Sequence, residues 1–410
     1  MEETFITSIK INKVRHLEGL EIQLSDTERK HLILTGKNGS GKTSVLEALR
    51  DLLQYCVKNK DGVGKMYEAF MRSEAQVQLA EMRQEVTSEI QKRKLFQKSI
   101  ESFFDGFFSN FTLQFRSQIL VRNNGIPSDF VMAYFSANHQ FNPQISNGPT
   151  KIDLGDSRDL SDDFSNYFVQ YLVNRRSDLL EEKEDGNAEK AEKIKSWFDS
   201  FEDTLKYIFS DENLDLHYDR KIYNYYISQN GRQSFSLNEL SAGYAVFINI
   251  IAELIMRMES QGSHAYDLQG IVLIDEIETH LHIDLQKKIL PFLTSFFPKI
   301  QFIVTTHSPF VLSSVDNAVI YDLEKQIRVE DLSGYSYSNI VKSYFGADEY
   351  SAELRKKVSE YETLLNLNDL NLSQKERLYE LKLFFKELPK SLSPELQLKI
   401  SQLELAELAA

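Results

Sequence analysis

The stretch GKNGSGKT, residues 36 to 43, constrains this chain more than any other. It matches G-x-x-x-x-G-K-[ST] in full. The apolar run HLILTG before it predicts a buried strand, and TSVLEALRDLLQYCV after it predicts a helix. A glycine-rich turn between strand and helix has a definite physical use. Gly36, Gly39 and Gly41 let the backbone curl, with Asn38 and Ser40 between them, so that amide N–H groups point inward. The helix N-terminus, at Lys42, Thr43 and Ser44, adds partial positive charge. The result is a phosphate cradle in which Lys42 reaches the β- and γ-phosphates and the Thr43 hydroxyl meets Mg²⁺.

Two later strand ends carry polar residues. GIVLIDE, 270 to 276, reads as a buried strand ending in two carboxylates, and ligands of open α/β sheets sit at such ends. Asp275 is placed to hold Mg²⁺ through its shell, and Glu276 to polarise an attacking water. IVTTHSP, 303 to 309, is another strand end, and an imidazole there, His307, can hydrogen-bond a γ-phosphate. Between these elements lies LNELSAGYAVF, 237 to 247, a small polar turn ahead of an apolar helix. Ser241 has no His or Cys close in the chain to make it a nucleophile.

A phosphate loop, an S-x-G turn opening a helix, an Asp-Glu strand and a His strand, in that order, resemble an ABC-type ATPase head over about residues 5 to 325. The resemblance implies ATP and Mg²⁺ as cofactors. It implies that Ser241, Ala242 and Gly243 form the signature turn, which binds the γ-phosphate of ATP held by another copy. LSAGY departs from the transporter form LSGGQ at Ala242 and Tyr244. The N-terminal IKINKVRHLEGLEIQL is similar to the first hairpin of the SMC, RecF and OLD branch, where an arginine at the position of Arg15 approaches the nucleotide. DEIETHLHIDLQ resembles that branch's D-E-x-E-x-H-L-H-P-x-x-Q, with Ile283 in place of proline. This puts Glu278, His280 and His282 near a subunit interface, with Asp284 and Gln286 as further candidates. YFSANHQF occupies the Q-loop region, where Gln140 is the first candidate to touch Mg²⁺ or water and Asn138 or His139 the alternatives.

Absences narrow the branch. The stretch from Thr43 to Ser241 must also supply sheet strands, which leaves no room for an SMC coiled-coil arm. The residues after His307 lack the D-x-D strand ends of a Toprim nuclease. What remains resembles the stand-alone ATPase subunits of bacterial anti-phage systems, PtuA of Septu and retrons and AriA of PARIS. That implies a homo-oligomer, at least a dimer, which holds or controls a separate effector nuclease and answers a nucleic-acid or phage-protein trigger. The alternative is a RecF-like DNA-repair ATPase that binds DNA on its dimer surface. Against it stands a formal net charge of −14, because phosphate neutralisation needs clustered Lys and Arg. The best basic stretch, QKRKLFQK at 91 to 98, reads as a solvated helix face.

The expected fold is therefore α/β: a P-loop NTPase head with a mixed sheet and an antiparallel N-terminal hairpin, over 1–57 and 110–345. A helical insertion is expected at 58–109 and a helical C-terminal tail at 346–410. Within the head, FTLQFRSQILV and DFVMAYFSA read as strands and residues 140 to 165 as loop. Ile194, Trp197, Phe198, Phe201, Leu205 and Ile208 form one helix face. KIYNYYISQNGRQSFSL reads as a hairpin around a type I′ Asn230-Gly231 turn. In the tail, three helices are expected, with a capping box at Ser373 and Glu376 and a cap at Ser393-Pro394. Leu381, Phe384, Phe385 and Leu388 are apolar at helical spacing there. One cysteine, Cys56, excludes an intrachain disulfide and a Cys-based zinc site. No signal peptide and no membrane span is apparent, so the expected location is the cytoplasm.

Overall fold

The structure is a computed structural model that describes residues 3–58, 111–115, 130–154, 159–261, 267–330, 332, 334, 340, 352–365, 367 and 371–387. The expected insertion apart from Lys58, the basic stretch 91–98, strand residues 116–121, Leu388 and Ser393-Pro394 lie outside them. The chain forms two compact units, Met1–Tyr335 and Ser336–Ala410.

The first unit begins with β1 (Ile6–Val14) and β2 (Leu17–Gln23), antiparallel, with Val14 opposite Leu17. The turn is thus Arg15-His16 alone, tighter than the RHLEG connection expected, and Arg15 takes a left-handed φ of 53°. β4 (Phe111–Phe115) pairs along the other side of β1. The phosphate loop joins β3 (His31–Thr35) to α1 (Lys42–Lys58). Val45, Leu46, Leu49 and Leu53 recur at helical spacing and are buried against Ile9, Ile11 and Leu20 on one side and Leu32, Leu34 and Leu273 on the other. The helix is therefore held between the hairpin sheet and a second, larger sheet.

That sheet has the order β12–β11–β3–β10–β9–β5. Its further members are β5 (Val131–Phe135), β9 (Gly270–Ile274), β10 (Ile300–Thr305), β11 (Ala318–Asp322) and β12 (Ile327–Glu330). All neighbours are parallel except the edge pair β11–β12. The central strands are buried along their whole length, as a sheet covered on both faces requires.

Helices α2 (Phe168–Glu184) and α3 (Ala188–Phe209) follow β5. The expected α3 face is buried at Ile194, Trp197, Phe201, Leu205 and Ile208, with Phe198 packed at its margin. A small antiparallel sheet comes next: β6 (Asp215–Asp219), β7 (Asn224–Ser228) and β8 (Phe235–Ser236). The expected hairpin is β7–β8, but its turn is not type I′. Ile227 pairs with Phe235, so six residues separate the strands, and of Asn230 and Gly231 only Gly231 has positive φ. The more extensive partner of β7 is β6, where alternation is too weak to be read. Helix α4 (Ala242–Ser260) is buried continuously from Val246 to Met258. Helices α5 (Ile283–Phe296) and α6 (Pro309–Leu312) flank β10 in sequence. No helix among the described residues is long and apolar enough to cross a membrane.

In the second unit α7 (Ala352–Leu365) packs Val358, Tyr361 and Leu364 on Leu381 and Phe385 of α8 (Leu372–Glu387). Arg377 spans the pair with a two-pronged bond to Glu360 at 2.9 and 3.0 Å. The cap of α8 is not Ser373 with Glu376. Asn371 Oδ1 accepts from the Gln374 N–H, and Gln374 Oε1 accepts from the Asn371 N–H, both at 2.9 Å. Asparagine at the N-cap with glutamine three residues on satisfies the same two orphan donors two residues earlier.

One buried titratable group sits in the middle of the large sheet. His31 is 6% exposed, and its Nδ1 accepts the Phe302 N–H at 3.1 Å, which requires the neutral ring. Burial, then Arg29 and Lys30, pull its pKa down to about 4. The unfolded chain takes up this proton near 6.5, so the associated stability is complete above that pH and is lost as pH falls toward 4. The full loss amounts to about 3 kcal/mol. His31→Asn, which keeps an acceptor but does not titrate, should flatten the dependence of the unfolding midpoint on pH across this window. An unchanged slope would mean that other groups carry it.

Candidate nucleotide-binding site

Four parallel strands end at one edge of the large sheet, and each end leads into a candidate site segment. β3 leads into the phosphate loop, β9 into Asp275-Glu276, β10 into Thr306-His307 and β5 into Ser136–Gln140. In the loop, Gly36, Gly39 and Gly41 have φ of 132°, 83° and 97°. Gly41 has a second constraint, since a Cβ there would lie 2.9 Å from the Leu17 side chain of the hairpin. The Lys42 ammonium donates to the Gly36 and Lys37 carbonyls at 2.9 and 3.1 Å, so it lies across the loop. Burial pulls its pKa below the usual lysine value, against the pull of Glu276, Glu278, Asp275 and Asp322. The Ser40 hydroxyl is buried without a hydrogen-bond partner. Asn38 and Gly39 are exposed at the crest of the loop.

Below the loop runs a chain of hydrogen bonds. Thr43 Oγ1 donates to Asp275 Oδ1 at 3.3 Å, and Thr305 Oγ1 donates to the same oxygen at 2.6 Å. The Thr305 hydroxyl in turn accepts the Glu276 N–H at 2.7 Å. Asp275 is 2% exposed, while Glu276 is only half-buried and takes a left-handed φ of 47°. A non-glycine residue held there is strained, and its carboxylate accepts from Thr279 Oγ1 at 3.3 Å. The Thr43 hydroxyl and Asp275 carboxylate are hard oxygen donors placed together, which suits Mg²⁺.

Glu278 is used within its own chain: it accepts from Thr306 Oγ1 at 2.7 Å and from the His307 N–H at 2.6 Å. This fixes His307, whose pKa is lowered by burial and by Lys42, so that its ring is neutral at neutral pH. Gln286 braces the same region, donating to the Leu281 carbonyl at 2.8 Å and accepting from the Ser308 hydroxyl at 2.6 Å. His280 and His282 are exposed, with Asp284 3.7 Å from the His282 ring. In the Q-loop region Gln140 and Asn138 are exposed, whereas His139 is pinned, its Nδ1 2.6 Å from the Ser136 carbonyl. Its Nε2 is buried without a partner, and burial lowers its pKa.

The turn expected to be the signature, Ser241–Gly243, stands at the N-terminus of α4. Ser241 is exposed, and its side chain caps nothing in its own helix. A Cβ on Gly243 would lie 2.9 Å from the His280 carbonyl, so this glycine lets the helix head approach the loop after Glu276. Tyr244, at the departure from LSGGQ, stacks on Phe209 with ring centroids 4.0 Å apart. Arg15 shares a cleft of about 400 Å³ with Ser44, lined also by Lys13, Val14, Glu47, Ala48 and Asp51. The candidates nearest in sequence were legible from motifs. Thr305, which links Asp275 to Glu276, was not, because a threonine at a strand end carries no sequence signal of its own.

The fold is that of an ABC-type ATPase head, with the mixed sheet and antiparallel N-terminal hairpin that the resemblance implied, and the tail is helical in α7 and α8, as its apolar spacing and caps predicted. Residues 134–313 match the family described as "AAA domain, putative AbiEii toxin, Type IV TA system". The chain is similar to the Septu protein PtuA of Bacillus mycoides (strain KBAB4), at 25% identity over 412 aligned positions, 93% of this chain and 50% of that one. It is similar also to the "Retron Vc95 probable ATPase" of Vibrio cholerae serotype O1 biovar El Tor, at 24% identity, covering 73% of this chain and 70% of the other. A shorter match, 42% identical over 94 residues, is to the "Retron Ec83 probable ATPase" of Escherichia coli, covering 22% and 17% of the two chains. The chain thus spans about half the length of the Bacillus mycoides relative. These matches agree with the branch that the sequence motifs pointed to.

Thr305→Val keeps the shape of a fully buried side chain but removes the donor to Asp275 and the acceptor for the Glu276 N–H. It should lower stability by about 1–3 kcal/mol, because both are left short of a partner in a buried place. Denaturant unfolding measures this, and a neutral result would remove Thr305 from the organising chain.

Proposed function

We propose that this chain binds ATP with Mg²⁺ and hydrolyses it slowly, in sites shared between two copies. In this reading it serves as the sensor and scaffold subunit of an anti-phage defence complex, holding or controlling a separate effector nuclease. The observation that carries the shared site is Ser241. It heads a buried helix, it is exposed, and its hydroxyl serves no cap in its own chain. A second copy's nucleotide supplies a partner for such a group.

The chain's own residues have distinct tasks. The Lys42 ammonium exchanges the Gly36 and Lys37 carbonyls for phosphate oxygens, and the loop amides and the helix N-terminus add donors. Arg15 and Ser44 approach the nucleotide from the shared cleft. Thr43 and Asp275 would hold Mg²⁺, which when bound would offset the charge of the phosphate oxygens. Glu276, half-buried beside Asp275, orients a water for in-line attack. Neutral His307 hydrogen-bonds the γ-phosphate, and Gln140, Asn138 or His139 completes the approach from β5. Ser241, Ala242 and Gly243 of the partner close the far side, with His280 and His282 exposed beside them. The effector reading is supported by the second unit, where Leu372, Tyr379 and Leu383 are exposed on α8 at spacings that share one helix face. It is supported too by resemblance to PtuA-type subunits.

Glu276→Gln should retain ATP binding and lose about 10²–10⁴-fold in hydrolysis rate, the usual worth of a positioned base. Normal turnover by this variant would exclude Glu276 from that role. Lys42→Ala and Ser241→Arg should each be inactive alone, yet regain hydrolysis when mixed, since one hybrid site then combines an intact phosphate loop with an intact signature. No recovery on mixing, with both variants folded, would overturn the shared site. Native mass spectrometry of the chain purified from its own gene neighbourhood tests the effector. Multiple copies with a second protein support it, and a homo-oligomer that binds DNA instead points to repair.

A further inference from the structure

The region after the Q-loop, residues 159 to 165, makes no regular structure until its last residue, yet it is bound on three sides. The Leu160 N–H donates to Gln54 Oε1 of α1 at 2.6 Å, and Asp159 pairs with Lys58 of α1 at 2.9 Å. The Leu160 carbonyl accepts the Tyr134 N–H of β5 at 2.8 Å. The third side is α4, through residues spaced four apart: Asn249, Glu253 and Arg257, all buried.

Arg257 is the centre of this contact. One terminal nitrogen donates to the Met132 and Asp159 carbonyls at 2.8 and 3.1 Å, and the other to the Leu160 and Asp162 carbonyls at 3.3 and 2.6 Å. Its Nε donates to Glu253 Oε1 at 2.6 Å. The other oxygen of Glu253 accepts the Phe164 and Ser165 N–H groups at 2.6 and 2.8 Å, where the chain turns toward α2. Asn249 Oδ1 is 2.6 Å from the Ser165 hydroxyl. The planar fork of a guanidinium spans several carbonyls at once, which an ammonium cannot do.

We propose that Arg257 is a positioning residue that couples the phosphate-loop helix α1 to the signature helix α4 through residues 159 to 165. The inference rests on the shared-site reading above, in which α1 begins at a chain's own nucleotide and α4 begins at its partner's. A shift of α1 on nucleotide binding is passed through Gln54 and Leu160 to Arg257 and hence to the orientation of Ser241. Without the link each chain still holds ATP, but its signature turn is not set for the partner.

The test uses the full chain in a Glu276→Gln background and reads two quantities: ATP affinity under conditions where the chain is monomeric, and the ATP concentration needed to form dimers. Arg257→Lys keeps a cation beside Glu253 but loses the fork. Gln54→Leu cuts the other end of the link at a half-buried position, and Gln54→Glu restores the acceptor for Leu160. Arg257→Lys and Gln54→Leu should leave monomer affinity unchanged and raise the ATP needed for dimers by about ten-fold, the ordinary size of a coupling between sites. Gln54→Glu should behave as the parent does. If Arg257→Lys fails to fold, Gln54→Leu against Gln54→Glu decides alone. A parent that binds ATP without forming dimers would overturn the shared site itself. A parent that dimerises, with Gln54→Leu dimerising equally well, would overturn the coupling only.

Discussion

The parallel register of the large sheet is the constraint on which the rest depends. Leu34 of β3 lies opposite Thr305 of β10, and Ile274 of β9 lies opposite Val304. Strands that run in the same direction in this register stop at the same level. The phosphate loop, the Asp275-Glu276 pair and the Thr306-His307 pair are therefore delivered to one edge, although far apart in sequence. Thr305 uses that alignment: its hydroxyl reaches both the carboxylate of Asp275 and the amide of Glu276. A one-residue slip would turn it to the opposite face of the sheet.

Burying polar groups on this scaffold is costly, and the described structure meets the cost with dense hydrogen bonding. Arg257 and Glu253 are almost wholly buried, yet each finds several partners, most of them on the backbone. An ion pair in such a place adds little net stability compared with apolar packing, but it has a defined geometry. Here the geometry relates α4 to β5 and to α1. The same economy appears at Glu278 and Gln286, whose side chains are spent on bracing the end of β10 and the start of α6. Ser241, His280, His282 and Gln140 are by contrast exposed.

Much of the candidate site was legible because its signals are local. A phosphate loop needs only a few consecutive residues between a strand and a helix, and GKNGSGKT supplies them with the flanking pattern intact. The paired carboxylates and His307 were readable as apolar runs ending in polar residues. The errors were local too. The β7–β8 turn is longer than Asn230-Gly231 suggested, because β7 ends at Ser228 and pairing with β8 resumes only at Phe235, opposite Ile227. The α8 cap falls at Asn371 with Gln374 because an asparagine serves as well as the serine that was read. The side chains that join elements could not be read, since Thr305, Gln54 and Arg257 look in sequence like an ordinary strand threonine and two helix-surface residues.

By itself the amino-acid sequence determined that this chain carries a phosphate loop on a strand–helix turn, an S-x-G helix start, an acidic strand end and a histidine strand end, in the order of an ABC-type head. The parts are legible because each motif needs only a few consecutive residues, and it is their order that resembles an ABC-type head. Only the tertiary structure decided that Glu278 is bound within its own chain, that His31 is neutral in the sheet, and that Arg257 of α4 binds the backbone of Met132 and of residues 159 to 162. Those outcomes depend on burial and on hydrogen bonds between residues distant in sequence, and the energy of such contacts exists only once the sheet has brought them together.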